Sequence, residues 1–100
     1  MLKIDLVRQD REGELIMTGE LDAITSVEAE TIVNEATGRF DRLILNMEQM
    51  TYVSSAGLRV LKRANSTMRS KGGTLLLKKV NKPVMEVLEL TGLAVIFKFV

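Results

Sequence analysis

Two adjacent serines, Ser54 and Ser55, are the side chains in this sequence whose neighbours best suit them to chemistry. They follow the segment 50–53 and precede the small residues Ala56 and Gly57. Small residues let another backbone approach closely. A serine hydroxyl at such a place can carry a modifying group, or it can cap the helix that follows. Since a cap needs only one hydroxyl, both roles can coexist in the pair.

The residue types that are missing exclude most catalytic chemistry. The chain has no histidine and no cysteine, which rules out serine–histidine triads, cysteine–histidine pairs and zinc sites with imidazole or thiolate ligands. It contains neither a GxxxxGK[ST] nor a GxGxxG nucleotide-binding loop. An enzyme would still be possible with carboxylate or lysine chemistry, but no pair of carboxylates stands out for acid–base work. We therefore expect no enzyme, no catalytic residues, no metal and no cofactor.

The charge of the chain is divided along its length. Residues 1–50 hold 5 Lys+Arg and 11 Asp+Glu, a net charge of −6, whereas residues 51–100 hold 9 and 2, a net charge of +7. Such polarity suggests two surfaces that could meet charged partners. Aromatic residues make up only 4% of the chain and do not interleave with the basic ones, so we expect no direct nucleic-acid partner.

Length and hydropathy predict one domain spanning residues 1–100. Hydrophobic residues make up 46% of the chain, which is enough for a real core. No apolar run approaches the roughly 18 residues that a membrane span requires. The N-terminus lacks the basic and apolar regions of a secretory signal, and the chain has no cysteine. These features together predict a cytoplasmic protein without a membrane span.

Alternation of apolar and polar residues predicts the strands that must position the serine pair. Residues 2–7 and 14–21 alternate and are separated by a polar turn, which predicts an antiparallel hairpin. The successive apolar residues at 43–45 and at 75–77 are typical of central strands buried on both faces. Residues 95–100 predict a final strand.

Helical periodicity predicts three helices between these strands. Thr25 or Ser26 is expected to cap the first helix, and Gly38 is expected to end it in a left-handed conformation. The second helix begins at the serine pair and ends at the glycine pair 72–73. The third begins at Asn81, with a proline in its first turn.

The second helix is predicted to have an apolar side and a basic side. Its apolar side comprises Gly57, Val60, Leu61, Ala64 and Met68. Leu58 falls off the centre of this stripe, so we expect it to be partly exposed, as an interface residue would be. The basic side is commonly just a solvated helix surface, and it could also contact a partner.

The predicted order β-β-α-β-α-β-α-β defines the fold class. Strands that alternate with helices imply an α/β fold whose sheet is mixed, mostly parallel and packed against the helices. The loop between a strand and the following helix is the usual place for a functional site in such folds. The serine pair occupies a loop of this kind.

The sequence resembles the anti-sigma factor antagonists, the bacterial members of the STAS domain family. The similarity covers nearly the whole chain. It is carried above all by the segment 52–58, Tyr-Val-Ser-Ser-Ala-Gly-Leu, and also by segments 19–23, 43–46, 72–73 and 90–93. The resemblance implies a single STAS-like domain.

Members of that family work by partner switching. The domain binds an anti-sigma factor that is also a serine kinase, and this binding frees a sigma factor. The kinase phosphorylates one serine at the start of the second helix, which ends the binding, and a serine phosphatase reverses the modification. By position, the resemblance implies phosphorylation at Ser55, with Ser54 as the less favoured acceptor, because Ser54 stands where many members carry aspartate.

The resemblance also implies a partner-binding surface around the serines. Asp22 matches the acidic position near the phosphorylated residue. The predicted surface comprises Asp22, Ser54, Ser55, Ala56, Gly57, Leu58, Arg59, Lys62 and Arg63. The alternative is a STAS module that docks without phosphorylation in a transport or signalling assembly. Binding that is insensitive to Ser55→Asp would favour this alternative.

Overall fold

The computed structural model describes residues 1–100 and contains one six-stranded sheet with three helices. The strands are β1 (Leu2–Gln9), β2 (Glu12–Leu21), β3 (Arg42–Asn46), β4 (Met50–Val53), β5 (Thr74–Lys78) and β6 (Lys98–Phe99). The helices are α1 (Thr25–Arg39), α2 (Ser55–Ser70) and α3 (Lys82–Leu90), with a 3-10 turn at Leu93–Val95. The predicted order is confirmed, and β4 is added between β3 and α2.

The sheet is mixed and is organised around β2. β1 and β2 form the predicted antiparallel hairpin, and every other pair of neighbouring strands is parallel. The strand order is β1-β2-β3-β5-β6, and β4 also pairs with β2. β2 pairs with β3 over residues 12–16 and with β4 over residues 19–21. Its ten residues thus hold two successive parallel partners.

Gly19 lies where β2 changes from one parallel partner to the other. The register of the β2–β4 pair shifts between Gly19 and Glu20, and the φ of Gly19 is 110°. A Cβ atom at this position would lie 2.0 Å from the carbonyl oxygen of Met1. Only glycine fits both the left-handed backbone and the close approach of β1.

All three helices pack against one face of the sheet and share its core. Leu15, Met17 and Leu21, which alternate along β2, are almost completely buried. The same cluster includes Ala29 and Val33 of α1, Leu61 and Met68 of α2, and Val84 and Leu88 of α3. None of the helices has the length and apolar content needed to cross a bilayer.

The end of α1 differs from the prediction that Gly38 forms a left-handed cap. Gly38 lies within the helix, and its φ is not positive. The chain leaves the helix at Phe40 in an extended conformation. The Lys71 ammonium donates hydrogen bonds to the carbonyl oxygens of Thr37 (2.8 Å) and Phe40 (3.1 Å). These bonds satisfy acceptors at the helix end that a left-handed glycine would otherwise serve.

Two strands differ from the sequence predictions. The segment 50–53, expected to be a loop, is β4. Its four residues pair with β2 alone. The strand was not predicted because it is short and lacks the continuous apolar run that is typical of a central strand. The last strand is only two residues long, whereas residues 95–100 were predicted to be extended. The 3-10 turn at 93–95 takes up the start of that segment.

Candidate functional site

The start of α2 lies beside the start of α1 at the carboxyl ends of β2 and β4. Leu21 and Val53 are opposite each other in the parallel pair. The Ser54 N–H continues this pairing by donating to the Leu21 carbonyl oxygen at 2.9 Å. Because α1 begins four residues after Leu21 and α2 directly after Ser54, the pairing brings the two helix starts together.

Ser54 is the N-cap of α2. Its backbone is extended, with φ −93° and ψ 176°, and its hydroxyl oxygen accepts the Gly57 N–H at 3.2 Å. Its carbonyl oxygen accepts the Leu58 N–H at 2.8 Å, which is the first hydrogen bond of the helix. The Ser54 side chain therefore stabilises the helix start, as predicted for one serine of the pair.

Ser55 is the first residue of α2, and its hydroxyl is free. The side chain is exposed, and none of the hydrogen bonds of the structure uses its oxygen. Since Ser54 serves the Gly57 N–H, the N–H groups of Ser55 and Ala56 are the donors left unpaired in the first turn. An anion beside these groups would be stabilised by them and by the positive end of the helix dipole.

Asp22 caps α1. Its Oδ1 atom accepts the N–H groups of Ile24 and Thr25, each at 2.9 Å. The bond from the Thr25 N–H is the main cause that holds the pKa of Asp22 below its usual value. The prediction that Thr25 or Ser26 caps this helix is wrong, because both residues lie inside α1. Thr25 supports the turn instead, since its hydroxyl donates to the Glu20 carbonyl oxygen at 2.7 Å.

The basic side of α2 is exposed, as predicted, and part of it is paired. Arg63 forms an ion pair with Glu30 of α1, whereas Arg59 and Lys62 form no ion pair. A cavity of about 220 Å³ lies between the two helices, and Ser26 and Arg59 are among the residues that line it. Two unpaired cations therefore stand one and two turns beyond the free hydroxyl of α2.

Gly57 and Leu58 lie inside the domain. Leu58 is 8% exposed and belongs to the core cluster, so the prediction that it is partly exposed is wrong. The helical wheel did not account for β4, which also contacts α2. Gly57 is buried, and a Cβ atom there would lie 2.7 Å from Leu21 Cγ and 2.9 Å from Val53 Cγ2. Neither residue presents a side chain to a partner.

Exposed apolar side chains near the serines were not predicted from the sequence. Ile24 is 84% exposed and Val27 is 73% exposed, and both lie at the start of α1. Val27 also lines the cavity between α1 and α2. Tyr52 of β4 is 53% exposed. The sequence contained a signal of this exposure, because Val27 falls on the opposite side of α1 from the buried Ala29 and Val33. Periodicity alone does not tell which apolar residues stay exposed.

The site has the chemistry of a contact surface. The Ser55 hydroxyl has no hydrogen-bonded base that could take its proton. No group of three or more acidic side chains comes together in a way that could hold a metal ion. What the site offers is a free hydroxyl, two unpaired backbone N–H groups, two unpaired cations and exposed apolar side chains.

Comparison with known proteins gives related sequences over most of the chain. Residues 3–100 match the family model of the STAS domain. The anti-sigma F factor antagonist of Paenibacillus polymyxa is 28% identical over 96 residues, which are 92% of this chain and 82% of that protein. BtrV of Bordetella bronchiseptica, provisionally named an anti-sigma factor antagonist, is 33% identical over 78 residues, 74% of this chain and 67% of that protein.

The fold matches that of SpoIIAA, an anti-sigma factor antagonist. Its unphosphorylated form superposes with a TM-score of 0.78 at 15% identity, covering 98% of this chain and 87% of that chain. The phosphorylated form of the Bacillus protein gives a TM-score of 0.77 at 17% identity, covering 98% and 91%. At these identities the likeness shows the fold alone, and it confirms the predicted STAS-like architecture.

Proposed function

Because the chain belongs to the STAS domain family, we propose that it is an anti-sigma factor antagonist, a protein that binds an anti-sigma factor and so releases a sigma factor. The similar protein from Paenibacillus polymyxa and the structurally similar SpoIIAA are both named anti-sigma factor antagonists. The function proposed is regulated binding and not catalysis. The main support for a regulated mechanism is that the Ser55 hydroxyl is exposed and free, because Ser54 already caps the helix.

The proposed contact surface is centred on the start of α2 and includes the start of α1. Exposed and half-buried groups from both helices supply it, whereas the buried Gly57 and Leu58 only support it from below. The surface comprises Asp22, Ser54, Ser55, Ala56, Arg59, Lys62 and Arg63, together with Ile24 and Val27. Exposed apolar side chains flanked by cations suit a partner surface that is apolar with an acidic rim.

Phosphorylation of Ser55 is the proposed switch. A phosphate adds about −1.5 to −2 charges at neutral pH. Within the domain this charge is tolerated, because the unpaired N–H groups of Ser55 and Ala56 and the helix dipole favour an anion. The capping bond from the Gly57 N–H to Ser54 does not use the Ser55 hydroxyl, so it does not compete with the phosphate. The modification therefore leaves the domain folded.

The effect of the phosphate falls on the bound partner. A doubly charged group at the centre of the contact must lose water when the partner binds. Burying such a charge without a positive group on the partner costs several kcal/mol, which corresponds to a loss of affinity of at least about a hundredfold. The anti-sigma factor is proposed to be the serine kinase that adds this phosphate, and a separate serine phosphatase is proposed to remove it.

The test compares baits in a pull-down from the lysate of the native cell. Wild type, Ser55→Asp and Ser55→Ala are used, and captured proteins and bait phosphorylation are identified by mass spectrometry. We expect wild type and Ser55→Ala to capture an ATPase of the histidine-kinase-like type, and Ser55→Asp to lose it. We also expect phosphate on wild-type Ser55 after addition of ATP.

Ser70→Asp is the matched control, because it adds the same charge at the other end of α2. Fifteen residues of helix separate the two positions by about 22 Å. Equal capture of the ATPase by wild type, Ser55→Asp and Ser70→Asp, without phosphate on the bait, would refute the switch and favour a constitutive docking module. Phosphate found on Ser54 instead would move the acceptor by one residue.

A further inference from the structure

The outer edge of β1 exposes apolar side chains that the domain does not cover. β1 is the edge strand of the sheet and pairs with β2 only. Three of its neighbouring apolar side chains are strongly exposed: Met1 at 95%, Leu6 at 41% and Val7 at 57%. A long edge strand with exposed apolar residues is a template for pairing with another strand.

The register of the hairpin shows which backbone groups point outward from this edge. The Glu20 N–H donates to the Met1 carbonyl oxygen, so Met1 and Glu20 form a hydrogen-bonded pair. Hydrogen-bonded and non-hydrogen-bonded pairs alternate along an antiparallel ladder. Leu2, Ile4 and Leu6 are therefore the residues whose N–H and C=O groups face away from β2.

The side chains of β1 match a second copy of β1 in one antiparallel register. With Ile4 opposite Ile4 of the second copy, Leu2 faces Leu6, Lys3 faces Asp5 and Met1 faces Val7. Every opposed pair is then either apolar with apolar or basic with acidic. Lys3 and Asp5 are well exposed, with 73% and 55% of their side chains accessible, and only 3.6 Å separates their charged groups within one chain.

The neighbouring registers are much poorer. A shift that places Ile4 opposite Leu6 also places Asp5 opposite Asp5, and like charges directly opposite destabilise a sheet. A shift that places Leu6 opposite Leu6 puts Ile4 against Arg8 and leaves both Lys3 and Asp5 without an opposite charge. A shift by one residue is excluded, because it would pair side chains from opposite faces of the sheet.

We propose that two copies of this chain associate through antiparallel pairing of β1 with β1, centred on Ile4. Leu2, Ile4 and Leu6 then supply the hydrogen bonds between the copies, and two Lys3–Asp5 pairs fix the register. A mostly apolar groove of about 360 Å³ beside α1, lined by Leu2, Ile4 and Ile32 among others, adjoins the incoming Ile4 and Leu6. The proposal is independent of the proposed function, since β4 pairs along the other edge of β2.

Charge exchange at positions 3 and 5 tests both the dimer and its register. In Lys3→Glu the pairs become Glu–Asp, and in Asp5→Lys they become Lys–Lys. Two copies of the same single variant therefore repel each other. An equimolar mixture of the two variants restores two opposite-charge pairs, and so does the double variant. Sedimentation equilibrium from about 10 μM to about 1 mM protein covers the affinity expected of a small interface.

We expect wild type to dimerise within this range. The dissociation constant of the dimer should rise at least about tenfold in each single variant. In the mixture and in the double variant it should return to within about threefold of the wild-type value. Amide hydrogen exchange at Leu2, Ile4 and Leu6 should slow as the concentration rises. Monomeric wild type at the highest concentration would overturn the proposal. Dimers that form equally in all variants would overturn it too, because their interface would lie elsewhere.

Discussion

The two serines at the start of α2 do different work although they are chemically identical. The extended backbone of Ser54 aims its hydroxyl at the Gly57 N–H, whereas Ser55 is already helical and its hydroxyl points to solvent. The sequence predicted a cap and a free hydroxyl within this pair. It could not assign them from composition, because the assignment depends on which residue first adopts helical dihedral angles.

Alanine substitutions separate the two roles. Ser54→Ala removes the cap and should lower the free energy of unfolding by about 1 kcal/mol. Ser55→Ala removes a hydroxyl without a partner, so it should change that free energy by no more than about 0.5 kcal/mol. Urea unfolding of both variants measures the difference. The opposite ranking would show that Ser55 is the cap in solution.

Glu14 gives the stability of the domain a dependence on pH. The Asn46 side chain donates to its carboxylate at 2.9 Å, and Lys78 lies 3.3 Å away. The Asn46 hydrogen bond is the largest cause that lowers the pKa of Glu14 below 4.5. Since the folded-state pKa is depressed, this stabilisation is complete above the ordinary pKa and is lost as the pH falls through the folded value.

Glu14→Gln should therefore destabilise the domain by about 1 kcal/mol at pH 7. The difference from wild type should shrink as the pH is lowered from 7 through the folded-state pKa of Glu14, and it should vanish once both side chains are neutral. Thermal unfolding across this pH range checks the prediction. Glu35→Gln, the same replacement on an exposed position of α1, is the control and should shift stability by less than about 0.5 kcal/mol. A constant deficit at every pH would assign the effect of Glu14→Gln to packing.

At the scale of elements, β2 determines where the site lies. It carries β1 on one edge and both β3 and β4 on the other. Periodicity was sufficient to predict the helices and the long strands, because each buries a regular face. It was insufficient for β4, whose four residues are held by pairing with β2. The wrong prediction that Leu58 is partly exposed has the same cause. A helical wheel of α2 cannot show that β4 lies beside the helix when β4 itself is not predicted.

Two glycines within helices should respond oppositely to alanine. Gly57→Ala places a methyl group 2.7 Å from the Leu21 side chain and carbonyl oxygen, so it should cost about 1–3 kcal/mol. At Gly38 nothing lies within 4 Å of the new methyl group and φ is not positive. Gly38→Ala should therefore stabilise the domain by about 0.5–1 kcal/mol. Urea unfolding measures both, and a neutral Gly57→Ala would show that α2 can move away from β2.

At the scale of the whole molecule, opposite charges lie on neighbouring helices. The acidic first half supplies α1 and the basic second half supplies α2, and the two helices contact each other. The Glu30–Arg63 pair joins them. The division of charge along the sequence is therefore partly neutralised within the domain. The unpaired cations of α2 remain for a partner.

Binding to the anti-sigma factor should consequently depend on salt. Raising the ionic strength from about 50 to about 500 mM shortens the screening length severalfold and should slow association. Arg59→Ala and Lys62→Ala should each reduce this salt dependence, because rim charges act mainly on the association rate. Arg69→Ala, at the far end of α2, is the matched control. Surface plasmon resonance at several salt concentrations gives the rates, and equal slopes for all variants would place the contact elsewhere.

The hydrogen bond from the Ser54 N–H to the Leu21 carbonyl oxygen joins the serine pair to a segment more than thirty residues earlier in the chain. The pair is therefore a conformational epitope and not a linear one. A kinase or phosphatase that acts on Ser55 must accept the folded domain, because a peptide of residues 50–60 would lack β2 and with it the Leu21 carbonyl oxygen that accepts the Ser54 N–H. Such an enzyme would then select its substrate by the three-dimensional arrangement around Ser55. Unfolding the domain would remove this recognition site together with the surface that binds the partner.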